Sequence, residues 1–351
     1  MREIAVCNAS ILIVRGRDNR LRAFHNVCSH RSAILVWEEK GRASAFGCRY
    51  HRWTYSLDGC LSGVPDEANF YQLDRNTCGL TPVAIESCAG FLFINLHIRP
   101  EQGLREYLGG MADVLDAINF EDCTEYVEFK SEIKANWKIA YDNFQDTYHL
   151  RFVHPNSLAG RVTGPANPFG YPGSLDFYGP HRRMALWGNL EHRPPPVEAI
   201  AFKHGGLLNQ PIAKPTDLST NDGRARDPHE SLVVHGIFPN QFINVGIGTY
   251  FTHQFWPLTP DRTLCEARIY VPKARTAGQR ISQEYSISAS RDIWAEDWQL
   301  VEATHRGVKT GARSTMHYQA QEAVCRHHYL SVDGYVTRYV GDETSQQVLK
   351  T

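Results

Sequence analysis

Cys28-Ser29-His30, then seventeen residues, then Cys48-Arg49-Tyr50-His51: two cysteines and two histidines stand here in alternating pairs. Each pair is short enough to occupy the tip of one tight loop. A [2Fe–2S] cluster with thiolates on one iron and imidazoles on the other needs two such loops facing each other. Zinc is the rival for a Cys/His quartet, but the common zinc-finger order places two cysteines in one pair and two histidines in the other. The alternation ranks the cluster ahead of zinc, and zinc ahead of a chance grouping of ordinary core cysteines.

The residues around the quartet extend the pattern. Arg22-Ala23-Phe24-His25-Asn26-Val27-Cys28-Ser29-His30-Arg31 and Cys48-Arg49-Tyr50-His51-Arg52-Trp53-Thr54-Tyr55-Ser56-Leu57-Asp58-Gly59 resemble the two cluster loops of Rieske oxygenases. Arg52 stands where glycine is usual in that family's second loop.

Composition sets outer bounds. With 351 residues there is room for about two domains. Lys and Arg (37) nearly balance Asp and Glu (38), a net charge of −1, which gives no electrostatic case for nucleic acid or an anionic membrane. No apolar run approaches the roughly twenty residues of a membrane helix. The N-terminus lacks the apolar stretch of a signal peptide, so a cytoplasmic location is expected. Besides Cys28 and Cys48, the remaining seven of the nine cysteines show no framework spacing and read as thiols.

Along the chain, β-branched runs at 3–14, 21–24, 43–47 and 80–96 with Gly and Asp turns predict a small all-β domain over 1–103. From 104 the apolar residues Leu104, Leu108, Met111, Leu115 and Ile118 take helical spacing and open a second domain, 104–351. There a strand is expected at 126–134 and a helix at 136–150. Pro- and Gly-rich loops with short helices are expected over 160–230. Four antiparallel strands should follow within 232–271, then a helix at about 280–307.

The second informative run is Asn136-Trp137-Lys138-Ile139-Ala140-Tyr141-Asp142-Asn143-Phe144-Gln145-Asp146-Thr147-Tyr148-His149-Leu150-Arg151-Phe152-Val153-His154-Pro155. On an unbroken helix His149 and His154 would point about 140° apart. Pro155 disfavours helical geometry at His154, so the helix can end there and the two imidazoles converge. Two histidines plus one carboxylate make the facial triad of non-haem Fe(II) oxygenases. Taken alone, a pair of histidines at this spacing is more often solvated than metal-bound.

The run resembles the iron-binding segment of Rieske ring-hydroxylating oxygenase large subunits, so the likeness spans nearly the whole chain. For the third ligand, Trp294, Asp297, Trp298 and Val301 form one helical stripe, which places Asp297 among inward apolar residues. Asp292 and Glu296 lie off the stripe, where acids are ordinarily solvated. The family's ligand aspartate precedes a stretch like Glu302-Ala303-Thr304-His305-Arg306-Gly307, so Asp297 is selected, with Asp292 as fallback. Tyr141, Phe144, Tyr148 and Phe152 read as core, and Asn143 as a pocket residue.

The resemblance implies an α+β protein: an N-terminal all-β Rieske domain, then a catalytic domain with a curved antiparallel sheet and helices around a mononuclear iron. It implies that Cys28, His30, Cys48 and His51 hold the [2Fe–2S] cluster and that His149, His154 and Asp297 hold Fe(II). Asp146 would bridge a cluster histidine of one subunit to the iron-bound histidine of its neighbour. That requires an oligomer, expected as a head-to-tail homotrimer with or without a small β subunit. Electrons would come from NAD(P)H through a ferredoxin or flavin reductase. The leading expectation is hydroxylation of an aromatic substrate by dihydroxylation or monohydroxylation. The alternatives are oxidative O- or N-demethylation of an aryl ether or quaternary amine and, from another class, an electron carrier or redox sensor with a vestigial second site.

Overall fold

A computed structural model describes residues 2–4, 9–205, 229–246 and 249–348. The chain divides into two compact units, Met1–Tyr107 and Leu108–Thr351. In the first, β1 (Arg2–Ile4), β2 (Ala9–Arg15), β3 (Leu21–His25), β7 (Pro82–Cys88) and β8 (Phe91–Asn95) form one antiparallel sheet in that order. A second small sheet joins β4 (Phe46–Gly47), β5 (Thr54–Tyr55) and β6 (Leu61–Gly63). Only Phe46–Gly47 of the expected 43–47 strand pairs with a neighbour, because Cys48 opens a loop immediately after it. Leu12, Phe24, Phe46, Trp53, Tyr55 and Leu61 are buried together beneath the two cysteines. Gly59 closes the turn before β6 with φ +87, and a Cβ there would lie 2.4 Å from the Phe24 ring, so the turn needs glycine twice over.

The expected helix from 104 is two pieces, α1 (Leu104–Leu108) and α2 (Gly110–Asp116), broken at Gly109 with φ +53. The second unit is built on seven antiparallel strands. In spatial order they are β10 (Ser174–Tyr178), β11 (His181–Trp187), β12 (Glu230–Ile237), β13 (Gln241–Gly246), β14 (Thr249–Thr259), β15 (Arg262–Val271) and β9 (Glu125–Ile133). All eight residues of β12 are buried, as a strand covered on both faces must be. Strand β9, at the edge of the sheet, alternates half-buried and exposed positions and buries only Ile133.

The hairpin β10–β11 corrects the sequence expectation of loops and short helices over 160–230. Arg182 and Arg183 broke the apolar pattern there, yet both are buried in this hairpin. The part of that stretch from 206 to 228 lies outside the described residues.

Helices α3 (Trp137–Gln145), α4 (Leu150–Val153), α5 (Ala159–Val162), α6 (Pro196–His204), α7 (Ala277–Lys309) and α8 (Ala323–Val348) complete the unit. The Asn136 side chain caps α3 by accepting from the Lys138 amide, and Thr276 caps α7 through Gln279. The core joins Tyr141 of α3 to Phe242, Phe251 and Phe255 of the sheet and to Trp294 and Val301 of α7. No described helix is long and apolar enough to cross a membrane.

Candidate metal centres

The expected helix over 136–150 is interrupted where the chemistry begins. It stops at Gln145, and Asp146 turns extended with ψ 131. Its Oδ1 accepts the Tyr148 amide at 2.6 Å, the local turn by which aspartate competes with helical hydrogen bonding. His149 then starts a separate four-residue turn, α4, and His154 leaves it at φ −113, ψ 44, just before Pro155. The two rings thereby come within 5.3 Å of each other.

Asp297 arrives from the buried stripe of α7, 5 % exposed. His149, His154 and Asp297 each offer one ligand atom, all within 4.8 Å of one another. Asp297 Oδ1 lies 3.5 Å from His149 Nε2 and 3.1 Å from His154 Nε2. It nonetheless has no aligned hydrogen bond, as expected of donors aimed at a common point rather than at each other. The opposite ring nitrogens are both engaged. His149 Nδ1 sits 3.0 Å from Asp146 Oδ2, and His154 Nδ1 sits 2.6 Å from Glu296 Oε2. A carboxylate behind each ring fixes the tautomer that leaves Nε2 unprotonated and available to a cation. Two imidazoles and a carboxylate suit a divalent transition metal with open positions.

Burial alone would lower the basicity of His149, but its hydrogen bond with Asp146 and the nearby Asp297 carboxylate outweigh that and push its pKa up to about 9. Asp297 would be raised by burial, yet His149 and His154 hold it down at about 2. Without a cation the site therefore stores charge as an ion pair, which a metal would replace.

Glu296 is exposed, as its place off the apolar stripe implies, but it has a role that the sequence reading did not assign. Helical phase put it off the apolar stripe, but the chain turning at His154 brings Ser157 and the imidazole to it, and Ser157 Oγ also donates to Oε2 at 2.6 Å. Asp292, the fallback ligand, is exposed and pairs with Arg291 instead. Tyr148 and Phe152, expected in the core, are exposed, whereas Tyr141 is buried.

The three ligand candidates open on a cavity of about 60 Å³, walled by Asn143, Phe144, Leu158, Met184, Leu232 and Trp294 among others. Asn143 is thus a pocket residue, and Phe144 lines the cavity too. No lysine or arginine is among the described lining residues. Behind this wall His253 packs between Phe144 (4.3 Å) and Trp294 (4.5 Å), and burial lowers its pKa to about 3.

In the first unit the two cysteine loops are built alike. Val27 bridges to Ile34 around one, and Gly47 pairs with Thr54 around the other. Cys28 N–H donates to Ala33 O and Ser32 N–H to Cys28 O; Cys48 N–H donates to Trp53 O and Arg52 N–H to Cys48 O. Ser32 and Arg52 occupy the same place in their loops with φ +58 and +60, the left-handed region where glycine is cheapest.

Both cysteines are buried and free of disulfides. The His30 and His51 rings are 4.5 Å apart, His30 stacks on Trp53, and the buried His30 Nδ1 has no hydrogen-bond partner. Tyr55 OH accepts the Ser29 amide at 3.0 Å and lies 3.1 Å from Cys28 Sγ. Two buried thiols in one core cluster and two neighbouring imidazoles, one with an orphaned nitrogen, fit the mixed ligation of such a cluster.

Residues 120–338 match the family model of the ring hydroxylating alpha subunit (catalytic domain), and residues 1–82 match that of the Rieske [2Fe-2S] domain. The chain belongs to the Rieske ring-hydroxylating oxygenase family. This Rieske oxygenase is 30% identical to the carnitine monooxygenase oxygenase subunit of Escherichia coli K12, over 87% of its own length and 73% of the relative's. It is 28% identical to the glycine betaine monooxygenase oxygenase subunit of Chromohalobacter salexigens, over 86% and 69%. The fold is that of a solved quaternary ammonium Rieske monooxygenase (TM-score 0.71, 24% identity, 94% and 83% of the two chains). It is also that of naphthalene 1,2-dioxygenase from a Rhodococcus species (TM-score 0.68, 20% identity, 92% and 82%). The Rieske oxygenase is accordingly a terminal oxygenase with a [2Fe–2S] domain and a non-haem iron catalytic domain.

Proposed function

We propose that this terminal oxygenase hydroxylates an N-methyl group of a small quaternary amine, with Cys28, His30, Cys48 and His51 holding the cluster and His149, His154 and Asp297 holding the mononuclear iron. The convergence of two imidazole Nε2 atoms and a buried carboxylate within 4.8 Å carries the reading of the iron site. Bound there, Fe(II) supplies O2 activation, with electrons relayed from the cluster. Asp146 and Glu296 hold the two imidazoles in the binding tautomer, and Asp297 stays ionised. Leu158, Met184, Leu232 and Trp294 keep bulk water from the reacting carbon.

The aromatic rings of Phe144, Phe251 and Trp294 line the cavity, and a cation over such a ring gains about 0.5–2 kcal/mol. The relatives named for carnitine and glycine betaine support the same substrate class. The overall step consumes O2, two electrons and two protons to give an N-hydroxymethyl group and water. The hydroxymethyl group then leaves as formaldehyde, and the tertiary amine departs with a proton lost.

The apolar lining also favours a second reading, ring hydroxylation of an aromatic compound, in which all substrate carbons are retained. Formaldehyde release therefore separates the two. A panel of quaternary amines and aromatic acids assayed with a surrogate reductase for O2 uptake, formaldehyde and ring diols tests the assignment. Uptake with ring diols and no aldehyde refutes the amine reading. Anaerobic iron analysis should give about three irons per chain, two in the cluster and one mononuclear, whereas about two would leave only an electron carrier.

For electron delivery, Asp146 would link His149 to the cluster of a neighbouring chain in a closed ring. Exposed Tyr148, two residues after Asp146, packs on exposed Phe152 and Phe169, and the exposed Tyr50 ring lies 3.8 Å from the His51 ring. Aromatic residues of this kind are enriched at protein interfaces, which supports the two rims meeting between chains.

A further inference from the structure

Asp146 lies just beyond a helix end, partly open to solvent, where an aspartate would ordinarily sample several rotamers. Its two neighbours in sequence are not free to move. Gln145 and Thr147 are each only 1 % exposed, and each is pinned by a different part of the fold.

Gln145 Oε1 accepts from Arg182 Nε at 2.6 Å, and its Nε2 donates to Asp142 Oδ1 at 2.6 Å. Arg182 is itself buried in β11, donates to Pro180 O at 3.2 Å and lies over the Tyr141 ring. Asp142 Oδ1 also pairs at 2.8 Å with the fully buried His328 of α8. On the other side Gln321, in the turn leading into α8, donates to Thr147 Oγ1 at 2.9 Å and to Phe169 O at 2.7 Å. That turn is closed by Glu322 accepting the Gln319 amide at 2.9 Å.

We propose that Gln321 and the Arg182–Gln145 pair are positioning residues for electron entry: they lock the peptides on both sides of Asp146 and so hold its carboxylate on His149. The inference rests on the reading of Asp146 as the link between cluster and mononuclear iron. The clamp leaves Asp146 Oδ1 on the Tyr148 amide and Oδ2 on His149 Nδ1. The step it serves is a one-electron transfer. The reduced cluster is oxidised, ferric mononuclear iron is reduced to ferrous, and no bond forms or breaks.

The test needs no substrate. In ferric holoenzyme, flash photolysis of deazaflavin with EDTA as sacrificial donor reduces the cluster. The oxidised-cluster absorbance then returns in a first-order phase as the electron moves to the mononuclear iron. Gln321→Leu keeps the volume and removes both donors. A displacement on the order of 1 Å can cost about 10²-fold in a positioned step, so that phase should slow by about tenfold or more with full iron content. Thr147→Val, which removes only the acceptor, should slow it in the same direction, and it carries the test if Gln321→Leu loses iron or fails to fold. A wild-type rate in a fully loaded variant overturns the clamp. Absence of the second phase in the wild type itself would instead overturn the electron-bridge reading of Asp146.

Discussion

Raising the pH should tighten metal binding at the His149, His154 and Asp297 site, and Asp146→Asn should abolish most of that dependence. With the cation absent, His149 has its pKa raised to about 9 against an ordinary 6.5. At pH 7 only about one molecule in a hundred then carries the neutral imidazole that a metal needs. The apparent affinity should therefore climb about tenfold per pH unit from 7 to 9 and level off above, with close to one proton released per ion at pH 7.5.

Raising the imidazole from 6.5 to about 9 corresponds to a net stabilisation of about 3 kcal/mol, the gain from the two carboxylates less the cost of burial. Because the folded pKa lies above the unfolded one, that stabilisation of the metal-free protein is fully present below pH 6.5. It is lost as pH rises through 9. In Asp146→Asn the larger hydrogen-bonded carboxylate partner is gone and burial opposes protonation, so the affinity curve should already be flat near neutral pH. Anaerobic titration of the metal-free catalytic site with Co(II), followed by its visible absorption and by pH-indicator proton release, reads both quantities. An affinity that is flat from pH 6.5 to 8.5 in the wild type, or an unchanged slope in Asp146→Asn, would refute the reasoning.

Glu296→Ala leaves His154 Nδ1 without its 2.6 Å partner; mononuclear metal affinity should fall about 10- to 100-fold with the cluster's visible spectrum intact. Tyr55→Phe removes the hydroxyl 3.1 Å from Cys28 Sγ. Losing a hydrogen bond to a charged sulfur, on the order of 1.4 kcal/mol, should lower the cluster potential by about 60 mV in a redox titration, and an unchanged potential would show that the hydroxyl serves Ser29 instead. Arg52→Gly relieves a φ of +60. Denaturant unfolding of the cluster-loaded protein should show a gain of about 0.5–1 kcal/mol, less than the full left-handed penalty because glycine also frees the unfolded chain.

Much of this molecule was open to reading from local pattern. The four cluster candidates lie in two loops whose closing contacts, Val27 to Ile34 and Gly47 to Thr54, span only a few residues. Spacing alone could therefore announce them. Asp297 could be chosen over Asp292 because a helix fixes phase, and the buried stripe of α7 is written in its own sequence. Strands β12 to β15 carried continuous or alternating apolar runs bounded by turn residues.

What escaped depended on residues far apart in the chain. The partnership of the exposed Glu296 escaped because nothing in α7 reports that His154, 142 positions earlier, will turn its ring toward it. The β10–β11 hairpin was hidden because Arg182 and Arg183 are compensated by distant partners, Gln145 and Glu230, which no local window contains. The break at Asp146 has a local cause, the aspartate accepting the Tyr148 amide, but its weight against a strongly helical run is visible only in the folded chain.

By itself, then, the sequence determined the ligand types, their spacing and the family, because metal chemistry demands particular side chains and short loops and helices impose fixed periods. Only the tertiary structure decided that Glu296 stands behind His154 and that a separate element, the turn before α8, holds the residue next to Asp146. It also decided that the cavity wall is apolar and aromatic. These are contacts between elements, set by how whole surfaces pack, and no period along the chain encodes them.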